Sequence, residues 1–192
     1  MRVEHEFILG GQKSGKSRRA EQRAAEWLAE APAARRAVLI ATAQAHDDEM
    51  KERIVRHQAD RARRVPAMRT VEEPVELARA IVTQSSPETL VVVDCLTLWL
   101  TNLLMPLRSE AARPVTRTPA AHASMLLVAL REARGPVVLV GNEIGLGVIP
   151  LGGETRAFVD ALGRLNQDVA AACGRVTLMV AGLPLTLKAP AA

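Results

Sequence analysis

The chain has 192 residues, enough for one substantial core but short for two, so a single domain over 1–192 is expected. Hydrophobic residues make up 48% of the chain and aromatic residues 2%, with no Tyr, which predicts an aliphatic core and argues against nucleic-acid binding by base stacking. The net charge of +4, from 25 Lys and Arg against 21 Asp and Glu, suits anionic small molecules at least as well as DNA.

The chain also lacks the sequence features of an exported or membrane protein. Residues 1–6 are charged, and no apolar stretch approaches the ~18 residues of a membrane span, which predicts a cytoplasmic protein with no membrane insertion. Cys95 and Cys173 are far apart and have no metal-ligand spacing, so both are expected to be reduced core residues.

The first predicted strand, Phe7 to Leu9, leads directly into a phosphate-binding loop of the pattern G-x-x-x-x-G-K-[ST]. Glycines let backbone N–H groups turn around a phosphate, and the helix predicted over 15–31 points its positive end at the same place. Lys16 is then expected to reach the β- and γ-phosphates and Ser17 to bind Mg²⁺. A plain glycine-rich turn would explain the glycines but not the following Lys and Ser. The loop consists of Gly10, Gly11, Gln12, Lys13, Ser14, Gly15, Lys16 and Ser17.

Alternating strands and helices are predicted after the loop. The expected elements are a strand over 37–41, a charged helix over 47–64, a strand over 69–72 and a helix over 74–84.

The clearest strand runs over 90–94 and ends in a carboxylate. A buried parallel strand that ends in an acid is typical of a Walker B site, so Asp94 is expected to organise Mg²⁺. The alternative is that Asp94 caps the helix that follows.

The second half of the chain is expected to contain further helices and strands around two loops. The proline- and arginine-rich segment 106–119 is expected to be a mobile loop, either a lid or simply disordered, with disorder favoured. The polar segment 141–147 follows a strand and is expected to line a site. The predicted elements here are a buried helix or turn over 96–104, helices over 120–134 and 154–172, strands over 137–140 and 175–180, and a short edge strand over 185–187.

Among the four histidines, His57 has the surroundings of a catalytic group. Arg53, Arg56 and Arg61 lie within about one helical turn of it, where they can hold a triphosphate beside the imidazole. His5 and His122 are expected to be surface or core residues.

Together these elements predict a doubly wound α/β domain of the phosphate-loop class. Its sheet is expected to be mostly parallel and RecA-like, with an antiparallel edge as one option.

Several sequence blocks, taken together, resemble the bifunctional adenosylcobinamide kinase/adenosylcobinamide-phosphate guanylyltransferase family over nearly the whole chain. The resemblance implies phosphorylation of adenosylcobinamide with ATP or GTP, then transfer of GMP from GTP to adenosylcobinamide phosphate through a guanylyl-histidine. It also implies a homotrimer. The blocks are the phosphate loop, Ile40 to Ala43, Asp47 to His57, Thr70 to Pro74, Val93 to Asn102, Asn142 to Gly147 and Ala181 to Pro184.

The same resemblance implies the site residues. The guanylylated histidine falls on His57 and not on His46. Arg56 stands where the family often has a second histidine, Met68 stands where an aromatic residue is common, and Lys13 replaces a common Arg. The implied nucleotide contacts are the loop from Gly10 to Ser17, with Ala41, Thr42, Ala43, Gln58, Ala59, Asp60, Arg61, Glu72 and Asp94.

The residues by themselves leave two alternative functions open. One is a different phosphoryl-transfer enzyme with the same fold, and the other is a nucleotide-dependent switch or DNA motor. A switch would carry an Asn-Lys-x-Asp block for guanine, and a motor a basic or aromatic strand-binding surface; the sequence shows neither.

Overall fold

The computed structural model describes residues 3–45, 47–106 and 117–189. Within them the chain forms seven strands and six helices. In chain order these are β1 (Glu6–Gly10), α1 (Lys16–Glu30), β2 (Arg36–Ala41), α2 (Asp48–Arg64), β3 (Met68–Glu72), α3 (Leu77–Gln84), β4 (Thr89–Asp94), α4 (Leu96–Leu104), α5 (Pro119–Glu132), β5 (Val137–Val140), α6 (Gly153–Ala172), β6 (Arg175–Val180) and β7 (Leu183–Lys188).

All seven strands form one sheet, in the order β3-β2-β4-β5-β1-β6-β7. The first six strands run parallel and β7 pairs antiparallel with β6 at the edge. The predicted mostly parallel sheet with an antiparallel edge is confirmed. In a parallel sheet the carboxyl ends of the strands meet at one edge, which here brings together the ends of β1 to β5.

Helices cover both faces of the sheet, as a doubly wound domain requires. Alternate residues of β1 face opposite sides, with Phe7 and Leu9 packed among α3, α5 and α6 and Ile8 packed against α1. The core is built chiefly from Val, Leu, Ile and Ala, as the composition predicted.

The helix start that differs most from the sequence prediction is that of α3. α3 begins at Leu77 and not at Pro74, because the Glu73 carboxylate accepts hydrogen bonds from the N–H groups of Val75 and Glu76 ahead of the helix. α5 begins at Pro119, where Thr118 caps the helix by accepting a hydrogen bond from the N–H of Ala121. Most of the predicted mobile loop over 106–119, namely residues 107–116, lies outside the described residues.

Both cysteines are free and buried in the core. Burial raises the pKa of the Cys95 thiol to about 11 and that of Cys173 to about 12, so both thiols are neutral at physiological pH. No helix among the described segments is long and apolar enough to cross a membrane.

Candidate active site

The phosphate loop connects the end of β1 to the start of α1. Gly10 and Gly15 have positive φ angles of 152° and 101°, which glycine tolerates best. A Cβ atom on Gly10 would stand 2.5 Å from the backbone oxygen of Met179 in the neighbouring β6. Gly15 caps α1 without a side-chain hydrogen bond, and the first helical turn contains no acid. The amino end of α1 therefore offers uncapped backbone donors to an anion.

Lys16, the first residue of α1, is buried, and its ammonium donates a hydrogen bond of 2.6 Å to the backbone oxygen of Gly11. Burial lowers the pKa of Lys16, the negative charge of Asp94 opposes that shift, and the positive charge of Arg53 adds to it. Asp94 and Arg53 therefore both influence Lys16, although the three residues come from separate elements.

The side chain of Ser14 indicates that the loop binds a ligand. Its hydroxyl oxygen is buried and finds no hydrogen-bond partner among the described residues. Its backbone oxygen accepts a 3.1 Å bond from the N–H of Gly182, which holds the loop against the β6–β7 turn. A buried hydroxyl without a partner costs free energy, so a bound phosphate oxygen would relieve it.

The ends of β2 and β4 are joined through Thr42. The Thr42 hydroxyl donates to the backbone oxygen of Cys95 at 2.7 Å and accepts from the Cys95 N–H at 2.8 Å. The backbone oxygen of Thr42 accepts a hydrogen bond from the side-chain amide of Asn102. The predicted nucleotide contact Thr42 thus uses its side chain within the protein. Its predicted neighbours Ala41 and Ala43 are half-buried at the end of β2.

Asp94 is the last residue of β4, where its carboxylate is half-buried. The helix that follows is capped by Cys95, whose sulfur accepts a hydrogen bond from the N–H of Leu98. The alternative role of Asp94 as the helix cap is therefore not the one observed, and its carboxylate is left for Lys16 and a ligand.

His57 lies on α2, a helix that buries none of its residues. Arg53, His57 and Arg61 are four residues apart and so share one face of that helix. Arg53 acts electrostatically on Lys16 at one end of this face, and Arg61 donates a 3.1 Å hydrogen bond to the hydroxyl of Thr70 in β3 at the other. The exposed His57 is therefore on the face that runs between the phosphate loop and β3.

A cleft of about 400 Å³ opens between α2 and β3. Three of the predicted nucleotide contacts, Gln58, Arg61 and Glu72, line it, and they bring hydrogen-bond donors and acceptors to its wall. Two others do not line it: Ala59 is exposed, and Asp60 forms ion pairs with Arg63 and Arg64. The lining combines apolar side chains with a few hydrogen-bonding groups, as in many small-molecule sites.

The other histidines have structural surroundings. His5 is buried and hydrogen bonds to the backbone of Leu130 and Val137. His122 is buried with its ring edge-on to Trp99. His46, the alternative to His57, lies outside the described residues.

The predicted site-lining loop after β5 does lie beside the phosphate loop. The N–H groups of Gly141 and Glu143 donate to the oxygens of Ile8 and Gly10 at 3.0 and 3.2 Å. The sequence indicated this loop but none of its side chains in particular. It placed Arg53 one turn from His57, and it gave no sign that Arg53 lowers the pKa of Lys16. In the sequence, the feature that points to Glu143 is its position as a polar residue soon after a buried strand.

The side chains at this edge fit Mg²⁺ better than a transition metal. No group of three His, Cys, Asp or Glu side chains converges into a metal site anywhere in the described ranges. Mg²⁺ prefers oxygen ligands and usually binds through one or two carboxylates, substrate phosphates and water. The Ser17 hydroxyl and the Asp94 carboxylate are donors of that kind.

Comparison with known proteins shows which family and relatives the chain is similar to. Residues 6–187 match the family described as cobinamide kinase / cobinamide phosphate guanyltransferase. The chain is 46% identical over 186 residues to the bifunctional adenosylcobalamin biosynthesis protein CobP of Pseudomonas aeruginosa, covering 95% of this chain and 96% of that one. It is 35% identical over 189 residues to the bifunctional adenosylcobalamin biosynthesis protein CobU of Salmonella typhimurium, covering 95% and 98%.

A solved structure supports the fold alone. The flagellar accessory protein FlaH from Methanocaldococcus jannaschii superposes with a TM-score of 0.51 at 10% identity, over 97% of this chain and 79% of that one.

Proposed function

This chain belongs to the cobinamide kinase / cobinamide phosphate guanyltransferase family, and from that premise we propose how its two reactions use the site. The protein is a transferase of cobalamin biosynthesis. It phosphorylates adenosylcobinamide with ATP or GTP, and then transfers GMP from GTP to adenosylcobinamide phosphate, which gives adenosylcobinamide-GDP. The observation that carries the proposal is the phosphate loop at the uncapped amino end of α1, with its buried Ser14 hydroxyl that has no partner among the described residues, together with the cleft lined by Gln58, Arg61 and Glu72.

In the kinase step, the nucleotide phosphates lie in the loop from Gly10 to Ser17. The uncapped amino end of α1 and the Lys16 ammonium stabilise negative charge on the β- and γ-phosphates. Ser17 and Asp94 would hold Mg²⁺, which would neutralise further charge on these oxygens. The hydroxyl of the acceptor then displaces the nucleoside diphosphate from the γ-phosphorus.

In the guanylyl transfer, the His57 imidazole attacks the α-phosphorus of GTP and pyrophosphate leaves. A phosphate oxygen of adenosylcobinamide phosphate then attacks the same phosphorus, and the bond to His57 breaks. Two displacements replace one difficult transfer, which is the use of such a covalent intermediate. Arg53, Arg56 and Arg61 stabilise the charge on the phosphoryl oxygens, while Gln58 and Glu72 bind the nucleoside in the cleft.

The proposal is tested with the unmodified protein and GTP labelled on the α-phosphate. We expect stable labelling of the protein in base and loss of the label in acid, because a phosphorus–nitrogen bond is acid-labile. Adenosylcobinamide phosphate should release the label as adenosylcobinamide-GDP. Product formation without any labelled protein at short reaction times would mean direct transfer and would overturn the covalent mechanism.

An Asp94→Asn variant is expected to lose about two decades of kinase rate, because an amide holds Mg²⁺ less well than a carboxylate. The fold should be retained, since the bond between β2 and β4 at this position uses the backbone oxygen of Asp94. Kinase rate is measured against Mg²⁺ concentration, with the exposed Asp168→Asn in α6 as the matched control. Added Mg²⁺ should partly restore the kinase rate of the variant. A rate that does not change with Mg²⁺ concentration would contradict the metal role.

We further propose that the protein works in the cytoplasm as a homotrimer, as its family resemblance implies, and binds free nucleotide without nucleic acid. Neither duplex nor single-stranded DNA should stimulate turnover, and neither should bind with the steep salt dependence of many phosphate contacts. Nucleotide hydrolysis measured with and without DNA checks this expectation. DNA-stimulated hydrolysis would favour the motor alternative.

A further inference from the structure

The kinase step needs a group that takes the proton of the acceptor hydroxyl, and the residues assigned so far do not supply one. Lys16 carries positive charge, and Asp94 is assigned to Mg²⁺. We propose that Glu143, in the loop after β5, accepts this proton. The proposal rests on the proposed kinase reaction and adds a catalytic residue to it.

The strand order brings the backbone of Glu143 beside the phosphate loop. β5 lies between β1, which carries the phosphate loop, and β4, which ends in Asp94. The N–H of Glu143 donates a 3.2 Å hydrogen bond to the oxygen of Gly10, the first residue of the phosphate loop. The backbone of Glu143 is thus joined to the loop that holds the nucleotide.

The backbone around Glu143 is held by contacts with α4, α6 and β1. The N–H of Asn142 donates to the Thr97 hydroxyl at 2.9 Å, and the oxygen of Asn142 accepts a 3.1 Å bond from Asn166. Gly141 lies so close to the Phe7 ring that an added Cβ would be 2.9 Å from it. A functional side chain supported in this way keeps its position during catalysis.

The carboxylate itself remains available. One of its oxygens accepts a 3.0 Å hydrogen bond from the N–H of Gly145, and it forms no ion pair with another described residue. The following residues, 144–149, are exposed, with Leu146 84% and Val148 96% accessible. A large acceptor can therefore reach this side of the loop. The other oxygen of Glu143 is free to take a proton.

The reaction balances with this assignment. As the acceptor oxygen bonds to the γ-phosphorus, the bond from that phosphorus to the β–γ bridging oxygen breaks, and the bridging oxygen keeps the electron pair. The hydroxyl proton moves to Glu143, which later releases it to solvent. A carboxylate that accepts a substrate hydroxyl proton is an established device in phosphoryl transfer.

A pair of substitutions separates this role from a structural one. Glu143→Gln keeps a side-chain oxygen for the N–H of Gly145 but cannot take the proton, whereas Glu143→Ala loses both functions. We expect both variants to lose about 100- to 1000-fold in kcat of the kinase reaction, with KM for ATP changed by less than about threefold. Labelling of the protein by GTP should stay at the wild-type level, because it needs nucleotide binding but no acceptor hydroxyl. Glu154→Gln, exposed in the first turn of α6, is the matched control.

Three results would overturn the proposal. Wild-type kcat in Glu143→Gln, with loss only in Glu143→Ala, would assign Glu143 to the turn at Gly145. An equal loss of kinase activity and of GTP labelling in Glu143→Gln would assign it to nucleotide binding. A wild-type protein that labels with GTP but phosphorylates no adenosylcobinamide would remove the kinase reaction itself, and that failure is visible before any variant is made.

Discussion

A His57→Asn variant is expected to lose protein labelling from α-labelled GTP and guanylyl transfer together, by roughly four decades or more, while it keeps kinase activity. Removal of the nucleophile from a covalent enzyme eliminates the intermediate and leaves only the much slower uncatalysed path. Kinase activity should survive because that reaction needs the phosphate loop and Asp94. Stability should change little, since His57 is exposed on a helix that buries none of its residues.

The control for this variant is His46→Asn, which should label and transfer GMP like the wild type. Base-stable labelling of His57→Asn, together with its loss in His46→Asn, would show that the wrong histidine was chosen. Continued GMP transfer with neither protein labelled would indicate direct attack by the corrinoid phosphate. Mass spectrometry of the labelled peptide separates these outcomes.

A Lys16→Ala variant is expected to lose about two or three decades of kinase rate, because it removes a positive charge that acts on the phosphates as negative charge develops there. Loss of such a contact costs a few kcal/mol, on the order of 2.7–4, in the transition state. The fold should persist, since Ala favours the start of a helix and the Lys16 ammonium bonds only to the oxygen of Gly11 among the described residues.

Lys16→Met is a useful companion, because it keeps the buried apolar stem and removes the charge. Both variants should be equally slow if charge is what matters, and both should unfold near the wild-type temperature. The exposed Arg131→Ala at the end of α5 tests whether loss of any positive charge has the same effect. Normal phosphorylation of adenosylcobinamide by Lys16→Met would mean that the phosphate loop is not the kinase site.

Features that depend on residues close together in the sequence were predictable, and features that depend on contacts between distant residues were not. The phosphate loop was predictable because its conformation is local: glycines permit the positive φ angles at Gly10 and Gly15, and the next residues begin a helix. The central strands were predictable because a buried parallel strand is a continuous apolar run, and the doubly wound class followed from the alternation of strands with helices.

Local sequence did not predict where α3 starts. The Pro74 pattern indicated an earlier beginning, and the Glu73 carboxylate decided otherwise by bonding to the next two free N–H groups. It also left two roles open for Asp94, since an acid after a strand suits either a metal or a helix cap. The tertiary structure removed the second role by assigning the cap to Cys95, and the metal role of Asp94 stays a proposal.

By itself, then, the sequence determined the fold class, the phosphate loop and the family to which the chain belongs. The strand order decided which distant residues meet: Glu143 bonds to Gly10 because β5 lies next to β1. Packing decided that Arg53 acts on Lys16 and that Gln58, Arg61 and Glu72 line one cleft between α2 and β3. These contacts depend on how whole elements pair and pack, and no periodicity within a single segment encodes such pairings.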